Sequence, residues 1–447
     1  MKIKKPKSKN KHILTKDGVN YLLPFILVTT CFALWGFAND ITNPMVKAFS
    51  KIFRMSVTDG ALVQVAFYGG YFAMAFPAAM FIRKYSYKSG VLMGLGLYAF
   101  GAFLFLPAYW TGMYYPFLVA YFILTCGLSF LETSCNPYIL SMGGEDTATR
   151  RLNLAQSFNP MGSLCGMFVA MNFIQAKLDK ADTAERALWD DAKFAETLDH
   201  DLWVLITPYL IIGAVILVMF FVIWRAKMPH NADTNHDVRP LTTLKRIFHI
   251  NYYREGVIAQ FFYVGVQIMC WTFIIQYGTR IFMQEGMAEQ DAEVLSQQYN
   301  IIAMVIFVCS RFICTLFLKF VNAGALLGTL AVAGALLTLG VIFIDGRGGL
   351  YCLVAISGCM SLMFPTIYGI ALQGLGDDAK FGAAGLIMAI LGGSVLPPLQ
   401  ANIIDQKELF GMPAVNISFV LPLVCFLVII VYGYRTYQRT KEITYNV

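Results

Sequence analysis

Two acidic residues, Asp40 and Glu132, lie inside long apolar stretches of the sequence. A charge at the centre of a bilayer costs about 2.5 kcal/mol or more, so an acid at that depth is expected to have a specific role. Burial favours the neutral form of a carboxyl group, so such a group can bind a proton at one stage and release it at another. The two acids are therefore predicted to carry protons. The alternative is a pair of hydrogen-bonded carboxyl groups that hold helices together.

Amide side chains form two further sets within apolar stretches. Gln156 and Asn159 are three residues apart and so share one side of a helix. The second set repeats every three or four residues as one helical stripe; its members are Gln260, Tyr263, Gln267 and Trp271. Amides beside aromatic rings suit a sugar, which offers hydroxyl groups to the amides and C–H faces to the rings. Hydrogen bonding between helices is the alternative, but two stripes together with two acids favour a polar cavity.

Twelve apolar stretches must position these side chains. The chain of 447 residues is 57% hydrophobic and 14% charged, whereas a soluble domain has about 25% charged residues, so lipid is its expected solvent. A helix that crosses a bilayer needs about 20 mostly apolar residues. Spans 1 to 6 are predicted at 21–46, 59–82, 90–110, 115–140, 152–176 and 202–225. Spans 7 to 12 are predicted at 255–282, 296–320, 324–344, 349–373, 381–404 and 413–436.

The two sets of six spans flank one polar loop near the middle of the chain. The predicted organisation is a basic tail at 1–20, a six-helix bundle at 21–225, a central loop at 226–254, a second six-helix bundle at 255–437 and a tail at 438–447. The predicted fold class is therefore all-α and integral to the membrane, with two bundles related by a pseudo-two-fold axis. A substrate would bind near the middle of the membrane, between the bundles.

Lysine and arginine residues concentrate on the side of the membrane that holds the basic N-terminal tail, and the opposite loop at 177–201 is net acidic. Positively charged loops stay in the cytoplasm, so both termini are predicted to be cytoplasmic. Arg83, in a loop on that side, is a candidate gate. Arg311, one or two turns from the same side in span 8, is predicted to tether helices through a salt bridge or to act as a gate.

Other classes of protein fit the sequence poorly. All five histidines lie outside the apolar stretches, and the ten cysteines lie inside them without a CxxC spacing, so no metal site or cofactor is expected. An enzyme would need a nucleophile with a base, or metal ligands, at membrane depth. The net charge of +7 does not indicate nucleic acid, because the charges fall between apolar stretches. The expected partners are a small substrate, protons and the lipid bilayer, and the protein is expected to be a monomer.

Several segments resemble a known family. They are Leu131-Glu132-Thr133 with Asn136-Pro137, residues 151–156 with Phe158-Asn159, Ala259-Gln260-Phe261 with Tyr263-Val264-Gly265, Gln267 with Cys270-Trp271, and more loosely 364–367. From span 1 to span 12 the chain resembles the L-fucose–proton symporters, in the fucose–galactose–glucose–proton symporter family of the major facilitator superfamily. The resemblance implies the twelve-helix major facilitator fold and a bacterial inner membrane location.

The resemblance also implies roles for individual residues. Glu132 would take part in sugar recognition and coupling, Gln156 and Asn159 would line the cavity, and Trp35 and aromatic residues of the second half would contact the sugar. Together with the residues singled out above, the predicted substrate-binding set is Trp35, Asn39, Asn43, Glu132, Asn136, Gln156, Asn159, Gln260, Tyr263, Gln267, Trp271 and Phe364.

One position departs from the family pattern. The family usually has Asn-Asp where this chain has Thr42-Asn43, and that Asp is its main proton-coupling carboxylate. Asn43 cannot titrate, so either Asp40 has taken over the proton, or Glu132 carries it alone, or transport is uncoupled. The expected function is proton-driven import of a neutral monosaccharide, L-fucose first and galactose, glucose or arabinose next. The alternative is a uniporter or a carrier of another polar solute with the same fold.

Overall fold

The computed structural model describes residues 14–16, 19–42, 45–55, 62–175, 177–179, 186, 188–228, 240–406, 408–409 and 411–445. In the first half, span 1 is Leu22–Thr42, a short helix follows at Met45–Ile52, span 2 is Leu62–Lys84, span 3 is Tyr87–Phe103 with Phe105–Thr111, and span 4 is Tyr114–Ser141. Span 5 is Ala148–Gln156, Asn159–Val169 and the π-helical turn Ala170–Gln175, and span 6 is Asp191–Arg225.

The second half begins after a helix of the central loop at Pro240–Phe248. Span 7 is Asn251–Gln284, span 8 is Glu289–Phe317, span 9 is Ala323–Phe343 and span 10 is Arg347–Met360 with Met363–Leu372. Span 11 is Ala379–Met388 with Gly392–Ile404, and span 12 is Ala414–Ile417 with Val420–Tyr445. Two hairpins of two-residue strands pair Thr15–Lys16 with Val19–Asn20 and Glu408–Leu409 with Met412–Pro413.

Within the described ranges, 11 helices are long and apolar enough to cross a membrane, and they correspond to all the predicted spans except span 5. The sequence predicted span 5 as one stretch at 152–176, but the structure breaks it at Ser157 and Phe158. Pro160 lies in the first turn of the helix after the break, where its missing N–H costs nothing. Polar residues on its inner face keep the hydropathy of this span low.

Each half is a bundle with its own packing. In the first half, span 4 packs against spans 2 and 3, and span 1 packs against span 5. In the second half, span 7 packs against spans 8, 11 and 12, and span 9 packs against spans 10 and 12. Two clusters of buried apolar side chains follow this division, one centred on each half.

The two halves pack against each other on one side of the membrane. There spans 2 and 4 contact the first helix of span 11, and the second helix of span 10 contacts Ala148–Gln156. We call this the basic side, because Arg83, Arg151 and Lys380 lie there; the opposite side, with the start of span 6, is the acidic side. The space between the halves is therefore closed toward the basic side.

Spans 1 and 5 cross at two glycines. A Cβ at Gly36 would overlap the backbone carbonyl of Asn159, and a Cβ at Gly162 would overlap the backbone carbonyl of Ala33. Small residues let helix backbones approach closely in membranes, and here only glycine fits. The crossing holds the break in span 5 beside Trp35 of span 1.

Candidate functional site

A cavity of about 180 Å³ lies between the two halves. It exceeds the roughly 150 Å³ cavity that can hold a benzene ring, so one small ring-shaped molecule fits. The first half supplies most of its polar wall, with Asn39, Tyr71, Glu132, Gln156 and Asn159, together with Trp35. The second half supplies a mostly apolar wall that includes Gln267, Trp271, Phe307, Arg311 and Phe364.

Glu132 of span 4 lies in the cavity wall with 5% of its surface exposed. The hydroxyl of Tyr71 donates to Oε1 of Glu132 at 3.2 Å and also lies 3.3 Å from Oδ1 of Asn39. One hydroxyl hydrogen can serve only one of these acceptors at a time. Oε2 of Glu132 has no hydrogen-bond partner among the described residues. This oxygen can therefore take a proton or accept a hydrogen bond from a ligand.

Asn136 does not line the cavity, although the sequence placed it among the binding residues. It is fully buried, its Nδ2 donates to the backbone carbonyl of Glu132 at 3.0 Å, and its Oδ1 accepts from Nε2 of Gln156 at 2.7 Å. Asn136 lies one turn beyond Glu132, which directs its side chain into the contact between spans 4 and 5. Its hydrogen bond therefore holds the side chain of Gln156 from the side that faces away from the cavity.

Trp35, Gln156 and Asn159 meet where spans 1 and 5 cross, and all three line the cavity. Gln156 ends one helix and Asn159 begins the next, so the break in span 5 faces the cavity. Nδ2 of Asn159 donates to the carbonyl of Phe32 at 3.1 Å, which fixes this amide to span 1. The ring centroids of Phe32 and Trp35 are 4.2 Å apart. Neighbouring spans thus hold the two amides, Gln156 through Asn136 of span 4 and Asn159 through Phe32 of span 1, whereas Trp35 packs against Phe32 of its own span.

The second half turns aromatic faces toward the cavity. Nε1 of Trp271 donates to the hydroxyl of Ser357 at 3.2 Å, and its ring lies 5.0 Å from that of Phe307. Phe364 and Gln267 complete this wall. An amide beside aromatic rings can hold a ligand that has both hydroxyl groups and an apolar face.

Gln260 and Tyr263 do not line the cavity. Both are fully buried, and the hydroxyl of Tyr263 donates to the backbone carbonyl of Met360 at 3.2 Å. The spacing of the predicted stripe gave the correct face of span 7, but helical spacing does not give the depth at which the cavity ends. The stripe continues past the floor of the cavity, toward the basic side.

Arg311 joins the two halves at the cavity wall. Its Nη1 donates to the backbone carbonyl of Gln156 at 3.0 Å and its Nε donates to the carbonyl of Ser361. Its guanidinium lies 4.5 Å above the ring of Phe307. The sequence favoured a salt bridge or a gate; within the described part of the chain the tether consists of hydrogen bonds to backbone carbonyls, with no carboxylate partner.

Arg83 is buried on the basic side, and its Nη1 lies 3.6 Å from Oδ1 of Asp378. Arg246, in the helix of the central loop, lies 2.5 Å from Oδ2 of the same carboxylate. Arg83 belongs to the first half and Asp378 to the second. The ion pair of these two residues therefore crosses the interface that closes the basic side.

Two predicted site residues lie partly or wholly outside the part of the chain that the structure describes. Asp40 lies within the helix of span 1, but its side chain is outside the described residues, and so is Asn43 as a whole.

The sequence-based prediction missed Tyr71 and Tyr68, which are three residues apart in span 2 and both line the cavity. The spacing rule that found the amide stripes would also have placed these tyrosines on one face. Among the described residues, no three His, Cys, Asp or Glu side chains are grouped to hold a metal ion.

The sequence matches the family model of the Major Facilitator Superfamily over residues 28–398. An L-fucose-proton symporter of Haemophilus influenzae is 52% identical over 427 residues, which cover 94% of this chain and 98% of that protein. An L-fucose-proton symporter of Escherichia coli is 32% identical, over 94% of this chain and 95% of the relative. A glucose/galactose transporter of Brucella abortus is 28% identical, over 94% of this chain and 96% of the relative.

Solved structures give the same picture of the fold. The crystal structure of the major facilitator transporter FucP in the outward conformation matches with a TM-score of 0.83 and 31% identity, covering 93% of this chain and 99% of that chain. A proton:xylose symporter bound to a glucose derivative matches with a TM-score of 0.64 at 12% identity, covering 92% of this chain and 94% of that chain. The similarity to the xylose symporter concerns the fold alone.

Proposed function

The chain belongs to the major facilitator superfamily, and on that premise we propose that it is a symporter that imports L-fucose together with protons. Two relatives named as L-fucose-proton symporters, at 52% and 32% identity along nearly the whole chain, support this substrate. The observation that carries the proposal is the cavity, in which a buried carboxyl group and amides face aromatic rings. Galactose, glucose and arabinose are the next candidate substrates.

The sugar would bind with its two kinds of surface turned to different walls. Its hydroxyl groups would exchange hydrogen bonds with Glu132, Asn39, Gln156, Asn159 and Gln267. Its C–H faces would pack against Trp35, Trp271 and Phe364. A deoxy sugar such as fucose also has a methyl group, which an apolar wall accommodates without leaving a polar group unpaired.

The proton would bind at Glu132 or at Asp40. Protonation of either acid lets sugar bind from outside, the two halves then rock about the central site, and deprotonation inside resets the carrier. The free Oε2 of Glu132 supports a role in this exchange, since a buried carboxylate that can gain a proton loses an unfavourable charge. Asn136 and Tyr263 support the cavity from behind, whereas Asn43 has no titratable group to offer.

Arg83→Gln should favour opening of the basic side, because it removes the ion pair with Asp378 that crosses the interface. Breaking a fully buried pair costs about 3–5 kcal/mol. Asp378 keeps 15% of its side chain exposed and retains its ion pair with Arg246, so we expect a smaller shift of about 1–3 kcal/mol. Hydrogen–deuterium exchange of the helix at Ala379–Met388 should therefore become faster in Arg83→Gln.

Arg246→Gln is the matched control for that variant. Arg246 contacts the same carboxylate, but its helix packs against spans 7 and 11 of the same half. Its loss should change the exchange rate of 379–388 much less than the loss of Arg83. Equal effects of the two substitutions would mean that the ion pair of Arg83 does not hold the halves together.

We propose further that the chain lies in the inner membrane of a bacterium with both termini in the cytoplasm, so that the basic side is the cytoplasmic side. The concentration of Lys and Arg there supports this orientation. The two bundles at 21–225 and 255–437, linked by the central loop at 226–254, would be the bodies that move. One polypeptide contains the whole cavity, which supports a monomer as the working unit.

Sugar-induced proton uptake tests the proposed function. Adding L-fucose to a lightly buffered suspension of cells that express the protein should make the medium more alkaline, because each sugar enters with protons. Unlabelled pentoses and hexoses should compete with labelled L-fucose in the order of their affinity for the cavity. Uptake of L-fucose without any pH change would instead support the alternative, a uniporter with the same fold.

A further inference from the structure

Gln260 is a fully buried glutamine whose amide nitrogen and amide oxygen both lack a hydrogen-bond partner in the described part of the chain. A buried polar group without a partner is destabilising, and such groups are uncommon in folded proteins. An apolar side chain at this position would avoid that cost. We therefore expect that the amide of Gln260 forms hydrogen bonds in another conformation of the protein.

Gln260 lies on the face of span 7 that lines the cavity. Val264 and Gln267, four and seven residues later, are both part of the cavity wall. These spacings place the three side chains on one side of the helix. At 1.5 Å per residue, Gln260 lies about 10 Å nearer to the basic side than Gln267 does. It is located below the floor of the cavity, where the cavity would lengthen if the floor opened.

The floor consists of helices that hold the halves together. Span 7 packs there against the second helix of span 10 and the first helix of span 11, and both of these helices also contact the first half. Just below Gln260, Gly256 lies against Ala371. Just above it, the ring of Tyr263 lies 6.1 Å from that of Phe364. Separation of the halves on the basic side would remove the first-half contacts of these two helices. They could then shift away from span 7 and uncover the face that holds Gln260.

We propose that Gln260 forms a release site for the sugar on its way out through the basic side. This inference deepens the proposed import of L-fucose and rests on it. When the halves separate, the sugar moves about two turns along the same helical face, and its hydroxyl groups exchange their hydrogen bonds with Gln267 for hydrogen bonds with Gln260. An amide has two donor hydrogens and an acceptor oxygen, so it can bind two neighbouring hydroxyl groups of a neutral monosaccharide.

Gln260→Leu tests the release site, because it removes the amide and keeps a side chain of similar size. We expect a higher Tm, since an unpaired buried amide is lost from the closed form. Sugar affinity from the acidic side, read from tryptophan fluorescence, should not change. The KM for L-fucose entering through the basic side of inside-out vesicles should rise by about fivefold or more, the factor that one neutral hydrogen bond supplies. Gln260→Asn, which retains an amide, should recover part of this loss.

Gln400→Leu is the matched control. Gln400 is also fully buried with an amide oxygen that has no partner among the described residues, but its Nε2 donates to Ser418 at 3.0 Å, near the acidic side. This variant should leave the basic-side KM unchanged. A Gln260→Leu protein with wild-type KM on the basic side, or with equal weakening on both sides, would overturn the release site. A wild-type protein that does not carry L-fucose at all would overturn the proposed function instead.

Discussion

Glu132→Gln should abolish the accumulation of L-fucose against its concentration gradient. One proton driven by a membrane potential of about 100 mV supplies about 2.3 kcal/mol, which supports a concentration ratio of roughly 50. Glutamine has nearly the shape of the protonated acid but cannot release a proton, so the variant should bring sugar only to equal concentrations on both sides. The measurement is the steady-state ratio of labelled L-fucose in energised cells.

The structure indicates which parts of the site this substitution leaves in place. Tyr71 can still donate to the amide oxygen at position 132, and Asn136 bonds the backbone carbonyl, which does not change. Sugar binding read from tryptophan fluorescence should therefore persist, which separates a lost proton from a misfolded protein. Glu145→Gln, at an exposed acid 13 residues further along the chain, is the matched control and should accumulate sugar normally. Normal accumulation by Glu132→Gln would exclude Glu132 as the proton carrier.

Asp40→Asn should likewise abolish accumulation while leaving sugar exchange across the membrane largely intact, if Asp40 has taken over the role of the acid missing at Asn43. Exchange needs sugar binding and movement of the halves but no net proton transfer, so the two assays isolate the coupling step. The expected loss is again about 50-fold in the accumulation ratio. Asp191→Asn, at an exposed acid at the start of span 6, is the matched control.

The two acid variants together decide between the alternatives that the sequence left open. If Asp40→Asn accumulates sugar normally and Glu132→Gln does not, Glu132 carries the proton alone. If Glu132→Gln accumulates sugar normally and Asp40→Asn does not, Asp40 has taken over the proton. If both variants fail to accumulate, both acids are needed for coupling. If both accumulate normally, neither acid drives transport, and the proposed coupling is wrong.

Hydropathy predicted the number and order of the spans because a bilayer imposes length and apolar character on each helix. Hydropathy does not show the break in span 5, which follows from Pro160. Proline cannot donate to the carbonyl of Gln156 four residues earlier, and that carbonyl instead accepts from Arg311 of the second half. The resemblance to the symporter family supplied the sugar, and the comparisons confirm the family. Amide stripes alone did not identify any substrate.

The sequence predicted which faces of the helices line the cavity, but it predicted less well how deep the cavity extends along each helix. Gln156 and Asn159 line the cavity, but Asn136, Gln260 and Tyr263 lie behind or below it. The periodicity of one helix shows which way a side chain points. How far the cavity extends depends on where the second half closes against the first, and that is set by contacts between residues more than 100 positions apart.

The close crossing of spans 1 and 5 has a consequence for the choice of substrate. Backbone touches backbone at Gly36 and Gly162, so this wall of the cavity cannot be moved by choosing another side-chain rotamer. Substitutions of Trp35, Gln156 or Asn159 can change which hydroxyl pattern is preferred. They cannot widen the wall behind these residues, so a larger substrate would have to gain its space from the other walls of the cavity.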